Sequence, residues 1–406
     1  MGIYILGFRI GEYAILISFV FLFLSLAQYK HKKISNSISK STFLLLVFLV
    51  TSFPIFVILS NGNFANMYIY KSSSYIWSFG FLFIGIGSTK FINFTKEIYY
   101  IFCFVLIYIY VFSIYGIPDN LQNLLLKVSD KFEYHKGSDI LIMFLSIFFI
   151  ANRSNISKNF KLDVFISFSA LFGPLLLYKS RGAFIAFSLY FIFELVFLKS
   201  EFKRPLKKNL ILLIVSTFIL LQSLFIVNKN GPIVIDEIFV NISSLAEYRK
   251  VPVSSNEINN HFLYFEQGRI FSGDGNLNWR LQIWQDVVSD LISEKKLFIG
   301  FGYSEKFSAM DDPFRSGNDG TNENVHNFLI NVLGRGGIIH LALYLSIYYL
   351  IAKKLISRNN IFILNYFIPI ILASLFDASM ENSHFSLLFY FILGIMFNKR
   401  NKELVN

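Results

Sequence analysis

The residues best suited to chemistry stand at three separate places in the chain, each beside or within an apolar run: Arg181, Arg280 and His326. A neutral imidazole can accept a proton from a hydroxyl group near neutral pH. A guanidinium group presents a planar fork of donors that matches the oxygens of a phosphate. Together these side chains could deprotonate an alcohol and stabilise the charge on a phosphate leaving group.

Each of the three residues also has a plainer explanation. A histidine at the start of a helix is commonly a polar residue whose hydrogen bonds are satisfied. Arg181 separates two apolar runs in "LLLYKSRGAFIAF" with almost no loop between them, so it could be a cation that reaches the membrane interface. Arg280 could extend past Trp284 to water in the same manner. The residue types alone leave these alternatives open.

The composition indicates what kind of protein positions these side chains. The chain has 406 residues, of which 54% are hydrophobic, 18% aromatic and only 16% charged, which is too apolar for a water-soluble fold of this length. The net charge of +11 lies in short clusters between apolar runs, so it indicates membrane topology and not nucleic-acid binding. Cys103 is the single cysteine, which excludes an internal disulfide and a thiol metal cluster.

Hydropathy over a window of about 19 residues predicts about eleven transmembrane helices, within a range of about ten to twelve. They centre near residues 11–28, 42–60, 73–89, 98–116, 138–152, 162–178, 182–198, 209–228, 327–352, 360–377 and 383–398. We therefore predict an all-α polytopic membrane protein with one large outside loop that carries short helices. The predicted divisions are an N-terminal bundle of about eight spans (1–228), the loop (229–325) and about three C-terminal spans (326–406).

The distribution of Lys and Arg predicts the orientation. Basic residues accumulate in the loops that follow odd-numbered spans, for example Lys32 and Lys33, or Lys203 and Arg204. Short loops rich in positive charge remain in the cytoplasm. The lysines between the fourth and fifth spans soften the contrast. We predict an outside N-terminus, a cytoplasmic C-terminus and an outside location for the long loop.

An amphipathic helix is predicted within the long loop, in "GNLNWRLQIWQDVVSDLIS". One stripe at steps of three and four residues holds Leu277, Arg280, Trp284, Val287, Val288, Leu291 and Ile292. Asp274 or Asn276 is expected to cap its start. We expect this helix to lie on the membrane surface or to roof a cavity.

The loop re-enters the membrane at "HNFLINVLGRGGIIH", which begins at His326. Each glycine of Gly334, Gly336 and Gly337 costs about 1 kcal/mol of helix propensity relative to alanine, unless a neighbouring backbone packs close. Arg335 indicates that the first turns of this helix face the interface or a wet cavity.

This re-entry segment resembles the signature of the O-antigen polymerase and O-antigen ligase superfamily. His326 and Asn327, a spacer of nine residues and then Gly337 are similar to its His-Asn/Ser, spacer, Gly-x-x-Gly pattern. The last glycine of that pattern is His340 here, which we interpret as a buried polar packing residue.

Three further motifs resemble the same superfamily, over about residues 160–398. "SRG" at residues 180–182 is similar to its outer helix junction, and "RLQIW" followed by "FIGFGYS" is similar to its large periplasmic loop. Glu381 and Asn382 are similar to the residues that precede its last span.

The resemblance implies a glycan donor joined to undecaprenyl diphosphate on the periplasmic face of the bacterial inner membrane. His326 would then be a base or a diphosphate ligand, and Arg181 and Arg280 would stabilise the departing diphosphate. The remaining expected substrate-binding residues are Ser180, Trp284, Asn327, Gly337 and Glu381. No cluster of carboxylates accompanies these motifs, so we expect neither a metal ion nor a cofactor.

Two enzymes of the superfamily and one rival class fit these expectations. We favour a polymerase because the length and divergent composition suit a strain-specific polysaccharide locus. The alternative is a ligase that delivers the glycan to lipid A core or to protein. A transporter or flippase for lipid-linked sugars is the rival class, although we find no pair of repeated halves. The expected partners are the lipid-linked oligosaccharide, membrane lipid, a chain-length regulator and a flippase, with no nucleic acid.

Overall fold

The computed structural model describes residues 4–5, 8–28, 37–89, 95–126, 136–154, 156–197, 205–230, 263–266, 268–311, 315, 323–357, 362–377 and 379–397. These residues are helical apart from turns and two short antiparallel hairpins, which confirms the predicted all-α class. Much of the predicted outside loop, residues 231–262, lies outside the described residues.

The helices are numbered in chain order. They are α1 (Ile10–Ala27), α2 (Lys40–Leu59), α3 (Met67–Ser72), α4 (Ser74–Trp77), α5 (Phe79–Ser88), α6 (Lys96–Tyr115), α7 (Asp119–Leu126), α8 (Gly137–Arg153), α9 (Lys158–Lys179), α10 (Arg181–Phe197), α11 (Leu206–Asn230), α12 (Gly275–Ser293), α13 (Phe328–Ile356), α14 (Phe362–Ser374) and α15 (Ser383–Met396). The hairpins pair β1 (Tyr4–Ile5) with β2 (Phe8–Arg9) and β3 (Leu263–Glu266) with β4 (Arg269–Ser272). Single 3-10 turns occupy Ser308–Met310 and Ser379–Glu381.

Six helices within the described part of the chain are long and apolar enough to cross a membrane: α1, α2, α6, α9, α11 and α13. Shorter apolar helices cover Ser74–Ser88, Gly137–Ile150, Leu364–Ser374 and Ser383–Met396. Large apolar side chains on α11 are exposed, including Phe218 and Phe225 at 62% each, and such a surface suits lipid. The chain is a multi-pass membrane protein. The count of eleven spans and the orientation stay predictions.

The chain divides into two compact units. The first comprises Met1–Leu44, Ser74–Val234 and Tyr348–Asn406, and the second comprises Leu45–Ser73 and Ile235–Ile347. The three predicted divisions at 1–228, 229–325 and 326–406 concern the path of the chain through the membrane, and they stay a prediction.

Helices α5 and α15 of the first unit pack with their backbones in direct contact. A Cβ atom at Gly85 would lie 2.2 Å from the carbonyl oxygen of Phe391, and one at Gly394 would lie 2.2 Å from that of Leu82. Only glycine permits so close an approach, as is common between helices in membranes. These two positions therefore fix the depth and register of the α5–α15 contact.

Helix α12 of the second unit carries an apolar face onto its own small core. Ile283, Val287 and Leu291 are fully buried, together with Phe307 and Val325. Its first turn is capped by Asp274, one of the two predicted caps, whose carboxylate accepts a hydrogen bond from the Leu277 amide at 2.9 Å.

The buried face of α12 differs from the predicted stripe. Ile292 is 60% exposed, whereas the polar residues Asn278, Gln282 and Asp286 are buried. Gln282 Nε2 donates to the carbonyl of Ile270 in β4 at 3.0 Å, and Asn278 Oδ1 accepts from the Ser272 amide at 3.0 Å. The predicted stripe is therefore wrong at Ile292. The burial of the polar residues was missed because it depends on the β3–β4 hairpin, which the sequence analysis did not predict.

Candidate functional site

His326 has an unusual backbone conformation at the end of the loop. Its φ angle is +50°, in the left-handed region that residues other than glycine seldom occupy. The rings of His326 and Trp279 meet edge to face, with centroids 5.2 Å apart. Trp284 Nε1 donates to the carbonyl of Val325 at 2.7 Å. Helix α12 therefore fixes both the backbone before His326 and one side of its imidazole.

Asn327 forms the N-terminal cap of helix α13. Its Oδ1 accepts a hydrogen bond from the Ile330 amide at 3.1 Å, and the residue is 8% exposed. A side-chain acceptor at this position satisfies one of the free amides of the first turn. The His-Asn dipeptide thus combines a sharp backbone bend with a helix start, which explains the local pairing of these two residue types.

Arg280 is carried by the same helix as the two tryptophans. It stands one turn before Trp284, so both side chains emerge from the same face of α12. Since Trp284 contacts the segment that ends in His326, the structure brings Arg280, Trp284, His326 and Asn327 to one region of the second unit. Their predicted roles toward a substrate stay predictions.

Gly337 breaks helix α13, with φ +63° and ψ −167°. The segment 297–302 pairs with the broken helix through four backbone hydrogen bonds: Phe301 N to Gly334 O at 2.8 Å, Gly302 N to Arg335 O at 3.1 Å, Ile338 N to Leu297 O at 2.9 Å and Ile339 N to Phe298 O at 3.3 Å. A Cβ atom at Gly337 would lie 2.2 Å from the Phe298 carbonyl carbon. The predicted close backbone contact is present, and it is made by a loop.

Arg335 is buried beside this break, at 2% exposure. Its Nη1 donates to the carbonyl oxygens of Gly302, at 3.4 Å, and Glu305, while its Nη2 donates to the Tyr68 hydroxyl at 2.8 Å. The guanidinium carbon also lies 4.1 Å from the centre of the Phe307 ring. Arg335 is therefore an internal clamp on the loop, and no local sequence pattern identified these partners.

His340, the departure from the family signature, is fully buried, as the sequence interpretation held. Its Nδ1 lies 2.6 Å from the Tyr303 hydroxyl and its Nε2 lies 2.9 Å from the Ser52 hydroxyl. The ring stacks on Phe56, with centroids 4.3 Å apart and planes 7° from parallel. A neutral imidazole protonated at Nε2 satisfies both hydroxyls, because Ser52 can then donate to the Leu49 carbonyl at 2.9 Å.

The Ser180 junction lies in the first unit and has the tight form that the sequence predicts. Helix α9 ends at Lys179 and α10 begins at Arg181. Ser180 Oγ accepts from the Ala183 amide at 3.3 Å, so Ser180 caps α10. A Cβ atom at Gly182 would lie 2.6 Å from that of Phe376, and Arg181 itself is exposed.

Polar residues that the sequence analysis missed lie next to this junction. Gly137 at the start of α8 packs on Ser180, where an added Cβ would lie 2.6 Å from the serine Cβ. The next two residues of α8 make side-chain pairs: Ser138 Oγ donates to Asp377 at 2.5 Å, and Asp139 lies 2.8 Å from His384 Nε2. The sequence signals were a polar start to the fifth span and a histidine two residues after Asn382.

Glu381 occupies the 3-10 turn that leads into α15. Its carbonyl oxygen accepts from Ser74 Oγ at 3.3 Å, and three residues later His384 pairs with Asp139. Glu381, Ser180 and Arg181 thus belong to the first unit, while the other predicted site residues belong to the second.

Part of the chain matches a known protein family. Residues 166–345 match the family described as O-antigen ligase, a range that includes seven of the eight predicted site residues and ends before Glu381. No curated protein matches the chain. Members of this family transfer glycans and act on lipid-linked glycan substrates. This match over residues 166–345 confirms the resemblance to the O-antigen polymerase and ligase superfamily.

Proposed function

We propose that this chain is a polysaccharide polymerase of the O-antigen type. It would join repeat units linked to undecaprenyl diphosphate on the periplasmic face of the inner membrane, without a metal ion. The observation that carries the proposal is the geometry at His326, where two tryptophans of α12 hold a strained backbone and an imidazole at the start of the signature helix. A strained residue that its surroundings hold in place is typical of a reacting site.

The proposed reaction forms a bond between an acceptor sugar oxygen and the anomeric carbon of the donor. The bond between that carbon and the diphosphate oxygen breaks, and the electron pair leaves with the lipid diphosphate. His326 takes the hydroxyl proton as the new bond forms, because a sugar hydroxyl is too weak an acid to lose it to water. The products are a longer glycan on one lipid diphosphate and a free undecaprenyl diphosphate.

Arg280 and Arg181 are the proposed donors to the diphosphate. Arg280 projects from the helix that also holds His326 in place, and Arg181 stands exposed at the first turn of α10. A guanidinium at a helix N-terminus gains from the free amides beside it, since both attract phosphate oxygens. In the second unit, Trp284, Asn327 and Gly337 are proposed substrate-binding residues, with Asn327 as a helix cap. In the first unit, Ser180 and Glu381 are proposed for the same role, with Ser180 as a helix cap.

The proposal is tested in a strain that lacks this gene and carries plasmid-borne variants. His326→Ala and Arg181→Ala should leave single repeat units on the surface lipid, while the wild-type chain and Lys353→Ala, an exposed lysine at the end of α13, restore the ladder of long chains. Immunoblots of membranes check that every variant inserts. A normal ladder from both variants would show that neither residue takes part in the chemistry.

A ligase is the second candidate, because the matching family is described by that activity. In that case the deletion strain would still build long chains, and these would accumulate on undecaprenyl diphosphate without reaching lipid A core. Separate extraction of lipid-linked glycans and lipopolysaccharide from the same cells distinguishes the two enzymes.

A further inference from the structure

The second unit contains a cleft of about 360 Å³ that has no role in the proposed chemistry. It is lined by Tyr68, Ser304, Glu305, Lys306, Asp311 and Glu323, and these six residues define what is called the Tyr68 cleft below. Its volume falls at the lower end of the range of about 300–1000 Å³ found for small-ligand sites. It therefore has room for one or two sugar rings.

Side-chain hydrogen bonds hold the walls of the Tyr68 cleft in place. The Arg335 guanidinium donates to both the Tyr68 hydroxyl and the Glu305 carbonyl, so one side chain ties two walls together. Asn66 Nδ2 donates to the Ser304 carbonyl at 2.9 Å. Ser72 Oγ donates to the Tyr303 carbonyl at 2.7 Å. The walls of the cleft are thus held in place before a ligand binds. This favours binding, because little conformational entropy of the protein is lost when the ligand binds.

The charges that line the cleft favour neutral hydroxyl groups over phosphate. Three of the six residues are carboxylates and one is a lysine, Lys306, which pairs with Asp311 at 3.0 Å. Glu323 pairs with Lys71 at 2.6 Å. The Glu305 carboxylate has no hydrogen-bond or ion-pair partner among the residues that the structure describes. A free carboxylate accepts strong hydrogen bonds from hydroxyls and repels diphosphate or an acidic sugar.

A metal ion is a poorer occupant of the same cleft. Within the described ranges, no three His, Cys, Asp or Glu side chains come close enough to share a cation. The carboxylates are therefore spread along the walls, an arrangement that suits the dispersed hydroxyls of a pyranose.

The cleft lies near the proposed base along the chain. Glu323 precedes His326 by three residues, and three residues span at most about 11 Å even when fully extended. We propose that the Tyr68 cleft binds one or two neutral pyranose units of the glycan whose neighbouring unit reacts at His326. This inference rests on the proposed function, because it assigns the cleft to the same substrate.

The test measures glycan binding without any reaction. A neutral oligosaccharide fragment, released from the surface polysaccharide of the producing cells, is added to detergent-purified protein and detected by saturation-transfer NMR. Glu305→Gln should weaken binding by about fivefold or more, since it removes a charged acceptor from an exposed position without disturbing the fold. Glu294→Gln, an exposed glutamate at the end of α12, is the matched control and should bind as the wild type does.

Two further arms separate this inference from the proposed function. Glu305→Lys should gain affinity for an acidic oligogalacturonate that the wild type binds poorly, and His326→Ala should bind the neutral fragment normally. Equal binding by wild type, Glu305→Gln and Glu305→Lys, or a wild-type preference for oligogalacturonate, would overturn the cleft assignment. Normal chain extension by His326→Ala with intact, Glu305-dependent glycan binding would overturn the proposed chemistry and leave the cleft assignment standing.

Discussion

Replacing His340 with alanine removes the ring that joins two hydroxyl groups inside the second unit. Tyr303 is fully buried, and its hydroxyl loses the partner at 2.6 Å. A buried polar group without a partner costs about 1–3 kcal/mol. Ser52 keeps its hydrogen bond to the Leu49 carbonyl, so it adds little to the loss.

The stacked pair with Phe56 adds a second loss. Aromatic pairs contribute about 0.5–1.5 kcal/mol beyond the area they bury. The two terms together predict that His340→Ala lowers the free energy of unfolding by roughly 1.5–4.5 kcal/mol. At about 2 °C per kcal/mol for a long chain, the melting temperature should fall by roughly 3–9 °C.

Tryptophan fluorescence during thermal unfolding in detergent measures this change. Trp279 and Trp284 lie in the unit that contains His340, while Trp77 reports on the other unit. Tyr349→Phe removes a hydroxyl from a residue of α13 that is 62% exposed, and this control should melt as the wild type does.

A double-mutant cycle isolates the hydrogen bond itself. Tyr303→Phe and His340→Ala each break the same contact, so their combined effect should be smaller than the sum of the two by about 1 kcal/mol or more. Losses that add within about 0.3 kcal/mol would refute the assignment of His340 as the partner of the Tyr303 hydroxyl.

Two other substitutions test the scaffold. Gly337→Ala should prevent accumulation of folded protein, because an alanine Cβ would overlap Phe298 and because the φ angle of +63° at this position is unfavourable for alanine. Gly87 has open space around it, so Gly87→Ala is the control and should accumulate normally in membranes. Asp286→Asn should destabilise the loop by about 3–5 kcal/mol, because Arg315 and Arg269 lie 2.7 and 2.9 Å from that carboxylate and Arg315 is buried. Limited proteolysis should then cut the second unit faster than in Glu294→Gln, and equal cleavage rates would contradict this role for Asp286.

The parts of the structure that the sequence predicted are those that local physics determines. Long apolar runs predicted the membrane helices, and the absence of a loop around Ser180 predicted the tight α9–α10 junction. Asp274 was one of two predicted caps, and its acceptor lies three residues from the amide it serves. Each of these features depends on residues within a few positions of one another.

The missed features depend on partners far apart in the chain. Arg335 is paired with the Tyr68 hydroxyl and the Glu305 carbonyl, and Asp139 is paired with His384. Partners so far apart in the chain produce no periodic pattern in the sequence. The buried Asp286 was not identified because its partners Arg269 and Arg315 lie 17 and 29 residues away. Hydrophobic periodicity reports burial of apolar groups only, so a helix that buries a polar face is misread.

The break at Gly337 has a consequence for how the protein is made. Four peptide groups of α13 find their partners in segment 297–302, which is synthesised before the helix. In hydrocarbon, each of these groups without a partner would cost several kcal/mol. We therefore expect this helix to be unstable in the bilayer unless segment 297–302 is already present to pair with it. The insertion of this helix should then depend on the earlier segment 297–302, which serves as the template for the later one.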